Sequence, residues 1–229
     1  MEKKVFENGL RVLYLPIEGS HSASVGIWVA AGSRHESLKE QGISHFIEHM
    51  LFKGTTSRSS RAISEEMDML GGGLNAYTAK EYTRYYAQTL AENAVRALDI
   101  LCDMIMNPLF EIDELERERG VILDEMAMYE DSGEDVAHEA LCAAVWPDAS
   151  LGRPICGIAE TVSSFTSDDL RSYIKTHYTP ERMVAVVAGD FDSNGIDALL
   201  HRTLGTLPRG SGAVPFDIPR FTPSLTLTK

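Results

Sequence analysis

The segment GISHFIEHMLFKGT, residues 42–55, sets two histidines and a glutamate into a run otherwise rich in Ile, Phe, Met and Leu. Wound as a helix at roughly 100° per residue, it places His49 roughly 40° from His45, Glu48 roughly 60° to the other side and Phe52 between them. Ile43, Phe46, Ile47 and Met50 fall at roughly 100° to 200° by the same arithmetic. One face therefore packs, and the opposite face carries His, Glu and His, with Phe52 reading as a wall of a site. A helix built this way needs a cation or polar partners from elsewhere in the chain.

Two imidazoles at i and i+4 can grip one tetrahedral metal ion from adjacent turns, and zinc suits nitrogen and carboxylate donors. Glu48 projects from a neighbouring point, where a carboxylate can take a proton from a metal-polarised water and pass it to a leaving amine. The order HxxEH is the inverse of the HExxH arrangement. A catalytic zinc usually has a third protein ligand, acidic or imidazole, on another element. The helix expected at 112–131, within EIDELERERGVILDEMAMYED, offers Glu118 and Glu125. They lie roughly 20° apart on one face. Leu115, Val121, Ile122 and Tyr129 surround that stripe, whereas Glu111, Glu114, Glu116 and Asp124 can stay in water. A carboxylate on an apolar flank needs a partner, and a cation is the natural one. His21, His35, His138, His177 and His201 read as loop or helix-surface residues without a ligand partner at helical spacing.

The rest of the chain reads as an α+β fold, a mostly antiparallel β-sheet covered by helices. Residues 10–16, 22–33, 74–79, 82–90 and 182–190 have strand character. The last of these is nearly all apolar and is expected to be buried on both faces. Helices are expected near 40–53, 60–70, 91–107, 112–131, 134–145 and 195–204. Another begins after Thr166 as N-cap, with Asp169 at N3 and Phe165 and Leu170 as a hydrophobic staple. Gly71, Gly72 and Gly73 suit a helix end and turn, not a phosphate-binding loop.

With 229 residues, 44% of them hydrophobic and 24% charged, the chain can build a sizeable core. A formal net charge of −13 argues against nucleic acid as a partner. No stretch approaches a membrane span, and the N-terminus is too quickly charged for a secretory signal, so a cytoplasmic protein is expected. Cys102, Cys142 and Cys156 show no CxxC spacing and read as free, buried thiols in a reducing compartment.

The motifs NGLRV, VGIWVAAGSRHE, GISHFIEHMLFKGT, GGGLNAYTAKEYTRYY and ERGVILDEMAMYED, in this order, resemble the pitrilysin, insulin-degrading enzyme and mitochondrial processing peptidase family of zinc endopeptidases. The resemblance covers most of the chain. It implies a processing-peptidase-like metallohydrolase domain in which His45, His49 and Glu125 hold one Zn²⁺. It implies Glu48 as general base and Glu118 supporting the site from behind the ligands. The segment LNAYTA resembles the strand that pairs with an extended peptide substrate, which puts Asn75 and Ala76 on the peptide backbone. Family members comprise two homologous halves or subunits around a chamber, the second supplying an Arg and a Tyr. Residues 1–229 are therefore expected to form one catalytic domain, the N-terminal half, with 208–229 leading toward a missing second half; the ending LTLTK reads as a strand cut short. The expected activity is hydrolysis of peptide bonds in short or unfolded polypeptides. Two alternatives are a non-catalytic scaffolding subunit and a small metal lyase of the S-ribosylhomocysteine-cleaving type.

Overall fold

A computed structural model describes residues 1–147, 149–210 and 218–220. Its centre is a six-stranded sheet. The strands are β1 (Glu2–Val5), β2 (Arg11–Pro16), β3 (Ser22–Val29), β4 (Gly73–Thr78), β5 (Thr83–Leu90) and β6 (Met183–Gly189). Their spatial order is β1-β2-β6-β3-β5-β4. Only β2 and β6 run parallel; the other four pairings are antiparallel. The sheet is thus mixed and mostly antiparallel, as the sequence led us to expect.

The helices are α1 (Ile43–Leu51), α2 (Ser60–Met69), α3 (Ala94–Met106), α4 (Ile112–Asp131), α5 (Gly133–Val145), α6 (Ala159–Val162), α7 (Ser167–His177) and α8 (Ser193–Arg202). Alternation along the strands explains where the core lies. Val12, Tyr14, Val25, Ile27, Tyr85, Ala87, Ala185 and Val187 are buried beneath the helices. Helix α3 packs on β3 and β5, with Ala97, Leu98, Leu101 and Ile105 buried. The strand β6 departs from expectation. Its residues alternate between buried and half-buried, so Val184, Val186 and Ala188 are not enclosed on their own face. A continuous apolar run cannot by itself distinguish these two environments.

Local signals place several boundaries. Helix α2 ends at the glycine run because Gly71 takes φ +67°, and the Gly71 and Gly72 amides donate to Asp68 and Met67 carbonyls. Helix α7 starts at a capping box of Thr166 and Asp169, with Phe165 and Leu170 both buried. Strand β1 and the single turn α6 carry too little periodicity to be read from sequence. The expected strand at LTLTK and most of the 208–229 tail lie outside the described residues. No helix among the described residues is long and apolar enough to cross a membrane.

Candidate metal centre

Helix α1 is the structural root of the site. Ile43, Phe46, Ile47, Met50 and Leu51 bury one face of it in the core. That fixes the rotation of the helix and turns His45, Glu48 and His49 toward a cleft of about 590 Å³. Phe52 does not wall this cleft, as the helical wheel suggested; it packs against the core instead. The rotation continues past the last helical residue, Leu51, into a tight C-terminal turn.

Helix α4 crosses α1 and brings both candidate carboxylates into play, in different roles. Glu125 Oε2 lies 3.7 Å from His45 Nε2 and 3.6 Å from His49 Nε2. Glu118, one face-repeat earlier and only 7% exposed, stands behind His49 and places Oε2 3.0 Å from its Nδ1. The other Glu118 oxygen meets Lys53 Nζ at 2.5 Å. Val121 and Tyr129, expected among the apolar neighbours of this stripe, are nearly half exposed. The buried strip of α4 is narrower, formed by Leu115, Glu118 and Ile122.

His45, His49 and Glu125 are the one group of three such donors among the described residues whose ligand atoms gather within 4.8 Å of one another. Zinc bonds of about 2.0–2.1 Å in a tetrahedron set neighbouring donor atoms about 3.3–3.4 Å apart. The observed N–O separations exceed this by a few tenths of an ångström, so the two imidazole nitrogens and the carboxylate oxygen fit such an ion. Burial, with His49 alongside, depresses His45 to a pKa of about 4 against the opposing pull of Glu125, which keeps its imidazole neutral. The two rings meet edge-on, 4.6 Å apart at their centroids.

Glu48 is held separately. Its Oε2 accepts the hydroxyl of Thr78, a buried residue at the end of edge strand β4. Thr83 Oγ1 lies 3.5 Å from Thr78 Oγ1, while its own proton goes to the Ala31 carbonyl at 2.9 Å. Burial raises the Glu48 pKa, and the Thr78 bond partly offsets that rise. Asn75 and Ala76 lie on β4 itself, Asn75 exposed and Ala76 half-buried against the core. Asn75 Oδ1 accepts the Ala76 amide at 2.8 Å. The far wall of the cleft includes Tyr129, His138 and Cys156. It is drawn in by Gly42 and Gly157: a Cβ on Gly42, at φ +91°, would lie 2.4 Å from the Cys156 carbonyl oxygen.

Lys53 and Thr78 were not singled out from the sequence and Tyr129 only as an apolar neighbour, although each bonds one of the expected site residues. Of the other histidines, His138 reaches the cleft wall without joining the three donors. His177, expected on a helix surface, is buried and stacked on Tyr173 at 4.0 Å. The three cysteines are free, Cys102 and Cys142 buried and Cys156 half-buried.

A His–x–x–Glu–His helix and a remote glutamate converging in a cleft beside an edge strand define a candidate metallohydrolase centre. Comparison with known proteins gives the family. Residues 11–158 match Insulinase (Peptidase family M16), and residues 164–228 match the Peptidase M16 inactive domain. The chain belongs to the insulinase family of metallopeptidases. It is 42% identical over 224 residues to the uncharacterized zinc protease YmxG of Bacillus subtilis, covering 97% of this chain and 54% of that one. It is 48% identical over 182 residues to the probable mitochondrial-processing peptidase subunit beta of Arabidopsis thaliana, covering 80% and 34%. Among solved structures, a protease from Helicobacter pylori shares the fold with a TM-score of 0.89 at 23% identity, over 96% of this chain and 54% of that one. The first half of the periplasmic protease PqqL from Escherichia coli superposes with a TM-score of 0.81 at 27% identity, over 94% and 49%. The chain spans about half the length of the curated bacterial relatives it matches.

Proposed function

We propose that this chain is the catalytic half of a zinc endopeptidase that hydrolyses short or unfolded polypeptides. The observation that carries the reading is the convergence of His45 Nε2, His49 Nε2 and Glu125 Oε2, with Glu48 on the same helix face. Zinc, held by His45, His49 and Glu125, would supply Lewis-acid polarisation of a carbonyl and of water. Glu48 would take a proton from water in the cleft and deliver it to the leaving amine. Thr78 holds the Glu48 carboxylate toward the cleft through its hydroxyl. Glu118 accepts from His49 Nδ1–H, which leaves Nε2 free to ligate. An extended peptide adds along β4, where Asn75 and Ala76 meet its backbone. Edge position supports this: among the described residues, β4 pairs only with β5.

Residues 1–229 act as one unit in this reading, and a second homologous half or subunit closes the chamber. Support comes from the shared length relation to the relatives and from the PqqL half. The test is Glu48→Gln in the full-length protein. Zinc is expected to stay near one equivalent, while hydrolysis of an unfolded polypeptide falls by about 10²–10⁴-fold. Retained turnover would remove Glu48 from the proton-transfer role. Absence of zinc from the unaltered protein would favour a scaffolding subunit instead.

A further inference from the structure

Glu125 uses its two oxygens differently. Oε2 faces both imidazole nitrogens, at 3.7 and 3.6 Å. Oε1 accepts the hydroxyl proton of Tyr129 at 3.0 Å. Tyr129 stands one helical turn further along α4, lines the same cleft and is 44% exposed, so it contributes little to the core.

A carboxylate can bind a metal through one oxygen or both. Binding through both would fill the position that a hydrolytic centre must keep open for water or substrate. A phenol hydrogen bond to one oxygen lowers that oxygen's capacity to donate to a cation and holds the carboxylate plane in place. The two oxygens of Glu125 are thereby kept to different partners.

Building on the zinc reading above, we infer that Tyr129 is a positioning residue that holds Glu125 to one-oxygen coordination and keeps the fourth ligand position open. The core does not require tyrosine here, since Tyr129 is 44% exposed and is not among the buried residues of α4. What the position requires is the hydroxyl.

The test replaces the hydroxyl alone, with Tyr129→Phe, in the full-length protein. Tyr77→Phe serves as control, because Tyr77 lines the same cleft and has no bond to Glu125 among the described contacts. Each protein is loaded with Co²⁺, whose visible absorption is strong in four-coordinate and weak in five-coordinate sites. Zinc stoichiometry of the unaltered chain is measured alongside. Tyr129→Phe is expected to lose intensity and shift its bands to shorter wavelength, while Tyr77→Phe keeps the wild-type spectrum. An unaltered spectrum in Tyr129→Phe, with zinc still near one equivalent in the wild type, overturns the role of Tyr129 and leaves the zinc site standing. A weaker zinc affinity without a spectral change also overturns it, since loosened packing alone would do that. A wild-type chain that takes up no zinc overturns both.

Discussion

At the scale of single residues, the arrangement around His49 is a short relay of fixed charges. Lys53 Nζ meets one oxygen of Glu118 at 2.5 Å, and the other oxygen lies 3.0 Å from His49 Nδ1. The carboxylate selects the imidazole tautomer, and the ammonium offsets the cost of keeping that carboxylate out of water. Lys53→Met retains the aliphatic stem and removes the charge. Zinc affinity, measured by competition with a chromophoric chelator, is expected to fall by about 10- to 100-fold, the range for a lost partner behind a ligand. An unchanged affinity would mean that Glu118 holds His49 unaided. His45, Glu48, His49, Glu118 and Glu125 stood out because helical spacing brings them to common faces, while the division of roles between Glu118 and Glu125 came from the family resemblance. Lys53 was not, because it sits in the turn after α1, where periodicity stops carrying information. Thr78 was hidden for a related reason: only the docking of α1 on β4 gives its hydroxyl a partner. Tyr129 was counted as apolar surface, and its hydroxyl became relevant only once Glu125 had a direction.

At the scale of elements, α1 must begin at a fixed point for its face to be correctly aimed, yet it lacks an ordinary N-cap. Gly42 holds the cap position in a left-handed conformation and supplies no side chain. The cap comes from Glu36, whose two oxygens accept the Gly42 amide at 2.8 Å and the Ser44 amide at 2.9 Å. Those amides form the positive end of the helix, which suits a carboxylate. Glu36 is 4% exposed, and burial raises its pKa to about 7, with the two amide bonds opposing the rise. Glu36→Gln keeps one acceptor and sets an N–H against the other amide. It should destabilise the fold by about 1–3 kcal/mol, the cost of an unsatisfied buried donor, read as a lower urea midpoint with an unchanged slope. An unchanged midpoint would mean that water or Gly42 itself serves the helix start. The contrast with α7 shows what a sequence can disclose. Thr166 and Asp169 cap that helix from within three residues, a spacing visible on the page. Glu36 acts across six and eight residues of irregular loop, so the cap depends on a path that no local pattern encodes.

At the scale of the whole molecule, three groups outside the metal centre, Glu36 and His177 buried and His35 half-buried, act in opposite directions on stability. Burial, with Arg182 nearby, lowers both His35 and His177 from 6.5 to about 4. The unfolded chain then binds more protons than the folded one between those values. The stability these histidines contribute is complete above pH 6.5 and is lost as pH falls toward 4. Glu36 has the opposite sign. Its folded pKa of about 7 exceeds the ordinary 4.5, so its contribution is complete below pH 4.5 and is lost as pH rises through 7. Two histidines outweigh one carboxyl between 4.5 and 6.5, and only the carboxyl titrates between 6.5 and 7. Stability should therefore climb with pH to a maximum near 6.5, fall slightly and level off above 7. Each histidine should account for on the order of 1 kcal/mol of the acid-side loss after solvent screening. Other charges also change over this range in a chain of net charge −13, so the decisive measurement is a difference. His177→Phe keeps the ring stacked on Tyr173 and removes the titration. Urea midpoints recorded from pH 4.5 to 6.5 should climb less steeply in the variant than in the parent, by the one proton that His177 takes up on unfolding in that range. Equal slopes would place the acid sensitivity elsewhere and leave His177 as a packing residue alone.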